Sequence, residues 1–362
     1  MLRAAVSESG QQREASAVTE AIVPSSDTRD VWDIYLSPTW LPTLLAADEL
    51  GILASLADEP GSARELATRM GLNTRTLSAV LALLASLGYV VSRGGRYHIT
   101  ETTRYHQLPS SPYYWGGVWA SMRRTNPTYA RLRDALTTPD PVGEIPEGHG
   151  NQNVDSWANG DIAPEAAAAM VRYMHSHSAA AAVGVAQSNL FASTRRLLDV
   201  GGCSGVFSIA IAARHPDLKC TIMDLPTVCQ LTPAYIAERG LEGRVDTHAA
   251  DMFRNPWPDG YDAVFMSNVF HDWRPETCLG LAKRAFDALP SGGTINLHEV
   301  LLNDDGSGPR IAAAYAVLMA MGTQGQQFTF AQLEELLTEA GFIDIQCRST
   351  SPIHSLVRGH KP

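Results

Sequence analysis

The sequence predicts an α/β protein: a doubly wound, mainly parallel sheet ending in an antiparallel hairpin, preceded by an α-helical domain that contains a winged helix. Two observations predict the sheet. From residue 195 onward, short apolar runs alternate with helical patterns, which is how parallel strands and their crossover helices read. The segment Leu197–Gly205, L-L-D-V-G-G-C-S-G, is a buried strand that stops at an aspartate, turns on glycines and starts a helix. A third observation predicts the helical part. Helical periodicity runs from Asp30 to about Tyr105 with short breaks and closes on a hairpin pattern.

Residues 1–27 are rich in Ala, Ser, Glu and Gln without a sustained apolar period and read as a mobile tail. Residues 28–163 are expected to form the first domain. In it, Ser62-Ala63-Arg64-Glu65 is a capping box that starts a short helix ending at Gly71. After Asn73 a second helix carries Leu77, Val80, Leu81, Leu84 and Leu87 on one face and stops at Gly88. Tyr89–Val91, a turn at Gly94-Gly95 and Tyr97–Ile99 make the hairpin, and helix, helix, hairpin spell a winged helix. The stretch from 106 to 163 is irregular and aromatic, with Tyr113, Tyr114, Trp115, Trp119 and Trp157, and a Pro-, Gly- and acid-rich loop from Pro139 to Gly150 interrupts it. A helix from Pro164 to about Asn189 begins the second domain, residues 164–362. Its strands are expected at 195–200, 219–224, 245–250, 261–269 and 293–301. Phe342–Arg348 and His354–Val357 flank a Ser-Pro turn and give the antiparallel end hairpin.

Composition narrows the function. The apolar fraction of 45% and charged fraction of 18% over 362 residues are those of a soluble globular chain with a large core. A net charge of -10 argues against wholesale nucleic-acid binding and against an anionic membrane surface. No apolar run reaches the roughly 18 residues of a membrane span, and the N-terminus lacks the apolar core of a secretory signal. The five cysteines have no C-x-x-C spacing and read as reduced thiols, so a cytoplasmic protein is expected.

The glycine turn at Gly201, Gly202 and Gly205 is a nucleoside-binding corner, and Asp224, closing the apolar run K-C-T-I-M-D, can accept hydrogen bonds from ribose hydroxyls. The dinucleotide pattern G-x-G-x-x-G is not met, because its second and third glycines would fall on Cys203 and Val206. Those glycines serve a pyrophosphate, so a nucleoside without phosphates fits better, and S-adenosylmethionine is the candidate. Asp251 and Met252 follow the next strand and pair an acceptor for the adenine amino group with an apolar face for the ring. His271, at a strand end beside the cofactor, titrates near neutrality and can remove a proton; Glu299 on a neighbouring strand can hold its tautomer.

L-L-D-V-G-G-x-x-G, M-D-L-P at Met223–Pro226, A-D-M-F at Ala250–Phe253 and F-H-D-W at Phe270–Trp273 resemble the S-adenosylmethionine-dependent O-methyltransferases of small molecules. That family includes plant caffeic-acid and hydroxyindole enzymes and bacterial natural-product tailoring enzymes. The resemblance runs from about residue 30 to the end and implies a Rossmann-like cofactor domain, and a winged helix that builds a homodimer and part of the substrate pocket. It implies His271 as general base, oriented by Glu299, with cofactor contacts from Gly201, Gly202, Gly205, Asp224, Leu225, Asp251, Met252 and Ser267. By family position the acceptor pocket falls to Trp115, Trp119, Met122, Met170, Met174, Asp272, Met319 and Gln327. Three departures stand out: Cys203 replaces the middle glycine, Ser267 stands where plant members often carry a basic residue, and Gln327 stands where they aim a second carboxylate at the histidine.

The leading expectation is methylation of a hydroxyl on a small, aromatic secondary metabolite, with S-adenosyl-L-homocysteine as product. The alternatives are methylation of an activated carbon, such as that of an α-keto acid, with or without a metal, and a non-catalytic DNA-binding regulator. No metal site is expected. His175 and His177 are two apart on a helix and do not share a face, and His298 should point to the opposite side of the sheet from Glu299.

Overall fold

The structure is a computed structural model and describes residues 28–138 and 162–362. The expected tail at 1–27, the loop from Pro139 to Gly150 and Trp157 lie outside the described residues. Alternation of strand and helix after residue 195 gives the expected doubly wound sheet. Its strands are β3 (Arg196–Val200), β4 (Lys219–Asp224), β5 (Val245–Ala249), β6 (Ala263–Ser267), β7 (Thr294–Glu299), β8 (Ile343–Ser349) and β9 (Ser355–His360). They lie in the order β5-β4-β3-β6-β7-β9-β8, the first five parallel to one another and β9 antiparallel to both of its neighbours, β7 and β8. The chain reverses from β3 toward β4 on one side and β6 on the other, so a crevice forms above the carboxyl ends of β3 and β6.

Two strands are shorter than their apolar runs suggested. β6 stops at Ser267 because Asn268 takes a left-handed conformation (φ 54) and turns the chain into a one-turn helix at Phe270–Asp272. β7 stops at Glu299, the last residue it pairs with β9. Leu197, Leu198, Val200, Val264, Phe265, Ile295 and Leu297 are fully buried, each side chain contributing roughly 1.5–3 kcal/mol of transfer free energy.

In the N-terminal part, Ser62 caps the Ala63–Met70 helix reciprocally with Glu65, and Gly71 ends it at φ 66. Asn73 caps the Thr74–Ser86 helix by accepting from the Thr76 N–H at 2.9 Å. The hairpin follows as β1 (Val90–Arg93) and β2 (Arg96–Ile99). The Thr74–Ser86 helix does not offer a basic groove-reading face: eight of its residues are buried, and Arg75 donates to the Gly325 and Ala320 carbonyls. It packs on the Arg310–Gly322 helix, which comes from between β7 and β8 yet shares one core with Trp32, Leu45, Leu77 and Leu132. Ten of that helix's thirteen residues are buried. It therefore ties the N-terminal helices to the sheet and roofs the crevice. No single described helix is long and apolar enough to cross a membrane; the bent pair Arg29–Glu49 and Ile52–Asp58 passes on composition, but its apolar residues lie mostly in this core.

Candidate active site

The residue types that end the parallel strands build one wall of a cavity of about 1000 Å³. That volume lies at the upper end of the roughly 300–1,000 Å³ typical of small-molecule pockets. Gly201 lines it with φ 71, and a Cβ there would stand 3.1 Å from Val269. Cys203 also lines it and holds φ 53, a left-handed conformation that costs a non-glycine residue of order 1–3 kcal/mol. Asp224 is buried at the end of β4. Its Oδ2 accepts the Cys203 N–H at 2.9 Å and its Oδ1 the Leu225 N–H at 2.8 Å. Each oxygen keeps lone-pair capacity for a further donor. Burial pushes this carboxyl up to about 6, against those two backbone bonds. Asp199 sits beneath the turn, accepts from Ser208 at 2.7 Å, and is pushed by burial up to about 7.

Asp251 lines the cavity but is also a local cap: Oδ1 accepts the Phe253 N–H at 2.8 Å and Oδ2 pairs with Arg254 at 2.6 Å. Met252 lies beside it, half-buried. Ser267, Leu225, Met170, Met174, Asp272 and Met319 also line the cavity.

His271 stands in the cavity wall on the one-turn helix after β6. Its Nδ1 lies 2.8 Å from Glu299 Oε2, and its Nε2 lies 3.8 Å from Asp272 Oδ1. Glu299 is held in turn, because its Oε1 accepts the Phe270 N–H at 3.0 Å. Burial alone would drive the imidazole toward its neutral form, but Glu299 and then Asp272 outweigh it and raise the ring to about 9. Burial raises Asp272 to about 6, against the attraction of His271. The Tyr315 ring closes the other side, edge-on with its centroid 5.3 Å from that of His271. A histidine so placed can take a proton at Nε2, with two carboxylates beside it to balance the charge.

Glu299 stands behind His271, 2.8 Å from its Nδ1 and outside the cavity lining, where a residue that orients the ring is expected. Gly202 and Gly205 are not in that lining: a Cβ on Gly202 would lie 2.7 Å from the Asp199 carboxyl and one on Gly205 would collide with Ile222, so neither position has room for a side chain. Several sequence expectations need correction. Trp115 and Met122 are exposed on the Gly116–Arg123 helix and its cap, away from the cavity. Trp119 is buried in the N-terminal core, its Nε1 donating to Gln107 at 2.9 Å. Gln327 donates to the Val300 carbonyl at 2.6 Å and lies outside the lining, so it does not replace a second carboxylate at His271.

The cavity also holds residues the sequence did not flag. Tyr315 sits in an all-apolar helical pattern and Arg131 in an ordinary amphipathic one, so neither carried a signal. Arg131 is the one arginine or lysine lining the cavity among the described residues. Tyr35 and Tyr173 join by their hydroxyls across another part of the wall. Asn268, 7% exposed, has no partner among the described residues for either amide atom. Its left-handed φ was foreshadowed only by being an asparagine after a strand. No three His, Cys, Asp or Glu side chains among the described residues are placed to hold a metal ion.

A family model for an O-methyltransferase domain matches residues 129–343. The chain belongs to that family. It is 35% identical over 318 residues to a 3-hydroxy-5-methyl-1-naphthoate 3-O-methyltransferase of Streptomyces sahachiroi, covering 86% of this chain and 88% of that protein. It is 29% identical to an L-tyrosine C(3)-methyltransferase of Streptomyces lavendulae, over 83% of this chain and 82% of that one. Among solved structures, an O-methyltransferase family 2 protein from Planctomyces limnophilus in complex with apigenin shares the fold, with TM-score 0.81, 24% identity, and 95% and 98% of the two chains covered. The protein is thus an S-adenosylmethionine-dependent methyltransferase. The donor set fits this cofactor: a carboxylate with free lone pairs for a vicinal diol at Asp224, and a cavity-lining glycine at Gly201 in a turn that lacks the G-x-G-x-x-G spacing of a pyrophosphate loop.

Proposed function

We propose that this O-methyltransferase methylates a hydroxyl on an aromatic secondary metabolite, with His271 as general base. The observation that carries the reading is the imidazole in the cavity wall with Glu299 on Nδ1, which leaves Nε2 turned to an acceptor. Asp224, Gly201, Leu225, Asp251, Met252 and Ser267 would hold S-adenosylmethionine. When bound, it supplies the methyl group as an electrophile on sulfur. His271 removes the acceptor proton, and Glu299 and Asp272 balance the imidazolium that forms. Met170, Met174, Met319 and Tyr315 offer a flat acceptor its apolar contacts, with Met side chains adapting to ring shape. Holding acceptor and methyl donor in one cavity supplies much of the acceleration through orientation.

The naphthoate named for the 35% identical relative suggests a bicyclic hydroxy acid as acceptor. Arg131, exposed at the cavity, supports this as the partner of its carboxylate. The test is turnover of a hydroxynaphthoic acid against the matching naphthol. Arg131→Ala should reduce kcat/KM for the acid by roughly 10- to 100-fold, the scale of a charged hydrogen bond, and leave the naphthol nearly unaffected. Equal turnover of both by the wild-type protein would remove the carboxylate from the reading.

A second reading rests on the relative named for tyrosine C(3)-methylation. The same base would then activate ring carbon next to a phenol. Product NMR decides between them by the methyl position, on oxygen or on carbon. We further propose that residues 28–163 form a winged-helix dimerisation domain, that residues 164–362 carry the cofactor, and that the protein works as a cytoplasmic homodimer. Two features support this: an exposed apolar face on the Arg29–Leu36 helix, and five described cysteines that are all free.

A further inference from the structure

We infer that His298 holds the proton of Ser267, so that Ser267 faces the cavity as a hydrogen-bond acceptor and receives the α-ammonium group of S-adenosylmethionine. His298 is a fully buried residue of β7 that does not line the cavity. Its Nδ1 lies 2.9 Å from the Ser267 hydroxyl and its Nε2 lies 3.0 Å from the Thr350 hydroxyl. Burial pushes the ring down to about 3, so it is neutral and carries one N–H. The Thr350 hydroxyl also reaches the His354 carbonyl at 3.4 Å, and a carbonyl can only accept. The Thr350 proton goes there, its oxygen accepts from His298 Nε2–H, and Nδ1 is left as a lone pair. Ser267 donates to that lone pair and turns its own lone pairs to the cavity.

Strand register says which ligand group arrives. Val200 pairs with Met223, Asp199 with Phe265 and Ser267 with His298, so Asp224, Gly201 and Ser267 stand in one row across β4, β3 and β6. Neighbouring strands are about 4.8 Å apart, which puts Ser267 about 10 Å from Asp224 along the row. With the ribose at Asp224, the methionyl chain runs along this row, and its α-ammonium is a group that only donates. A lysine at this position would repel that group. A serine with its proton tied back attracts it. His298 is thus a positioning residue, and Ser267 carries the contact.

The test is calorimetry with S-adenosylhomocysteine, which has the amino-acid end, and 5′-methylthioadenosine, which lacks it. It contains no acceptor, so its outcome is separate from the acceptor reading above. Ser267→Ala should weaken S-adenosylhomocysteine by about 10- to 100-fold and leave methylthioadenosine within about twofold. His298→Leu should weaken S-adenosylhomocysteine in the wild-type background and add nothing in the Ser267→Ala background, because it acts only through that hydroxyl. His298→Asn keeps an acceptor near the Nδ1 position and should restore most of the affinity. Nitrogen NMR should find His298 protonated at Nε2. The inference is overturned by unchanged S-adenosylhomocysteine affinity in Ser267→Ala, by equal losses for both ligands, by a His298 effect that persists without Ser267, or by an Nδ1-protonated ring.

Discussion

At the scale of single residues, His271 concentrates what the sequence could and could not say. Its place after β6, and Glu299 at the end of β7, were legible because strand ends in a doubly wound sheet converge on one crevice. What the sequence could not weigh is the sum of charges around it, since burial opposes and two carboxylates favour protonation. Replacing His271 with Ala should lower turnover by about 10²–10⁴ while S-adenosylhomocysteine affinity stays nearly constant. Only the neutral ring accepts a proton, and its pKa is raised to about 9 from 6.5. Log kcat/KM, which reports the free enzyme, should therefore climb with pH through neutrality and level off near about 9. Glu299→Gln removes the nearer negative charge, so the same rise should move to lower pH; an unmoved profile would mean that Glu299 does not set the ring's charge. The shift also links to stability: its contribution is fully present below about 6.5 and is lost as pH rises through about 9. Gln327 shows the limit of position alone, because a buried amide takes the nearest backbone partner, here the Val300 carbonyl.

At the scale of elements, the glycine turn and the Arg310–Gly322 helix make opposite points. The turn was legible as a ligand corner, yet only Gly201 of its three glycines lines the cavity, and Gly202 exists to let the backbone pass the Asp199 carboxyl. Gly202→Ala would force the turn off Asp199 and disturb its bond to Ser208. The expected outcome is a loss of about 1–3 kcal/mol in denaturant unfolding, the scale of overpacking, together with weaker S-adenosylhomocysteine binding. Wild-type stability in that variant would show that the turn has room the geometry does not suggest. The Arg310–Gly322 helix is apolar all round, which announces burial but not the partner. A sequence-based boundary at residue 164 therefore gave no sign that residues 311–321 complete the N-terminal core. Tyr315 and Met319, carried by this helix, reach the cavity for the same reason.

At the scale of the whole molecule, the Arg29–Leu36 helix has one apolar face too many. Trp32 and Leu36 are buried against the chain, while Val31 is 70%, Ile34 76% and Tyr35 38% exposed. Positions 31, 34 and 35 are spaced i, i+3, i+4 and so form one partly exposed stripe, whose Tyr35 edge borders the cavity. Beside it a groove of about 760 Å³ runs between this helix and the Pro164–Gln187 helix, lined by Val31, Tyr35, Tyr173 and His354. A second copy is the occupant that a two-fold axis would supply, covering the same stripe on both subunits. A stable interface of this kind buries about 1,200–2,000 Å² in total, more than one helix stripe offers, so neighbouring N-terminal surface must join it. Light scattering across a concentration series should find a dimer, and Ile34→Asp should shift it to monomer because a charge would be buried on both sides of the axis. Tyr35 belongs to both the groove and the cavity wall, through its hydroxyl bond to Tyr173. Monomer formation should therefore raise KM for the acceptor while S-adenosylhomocysteine affinity holds. A wild-type protein that stays monomeric at tens of micromolar would refute the stripe as a subunit contact, and an Ile34→Asp monomer with unchanged acceptor KM would separate assembly from catalysis.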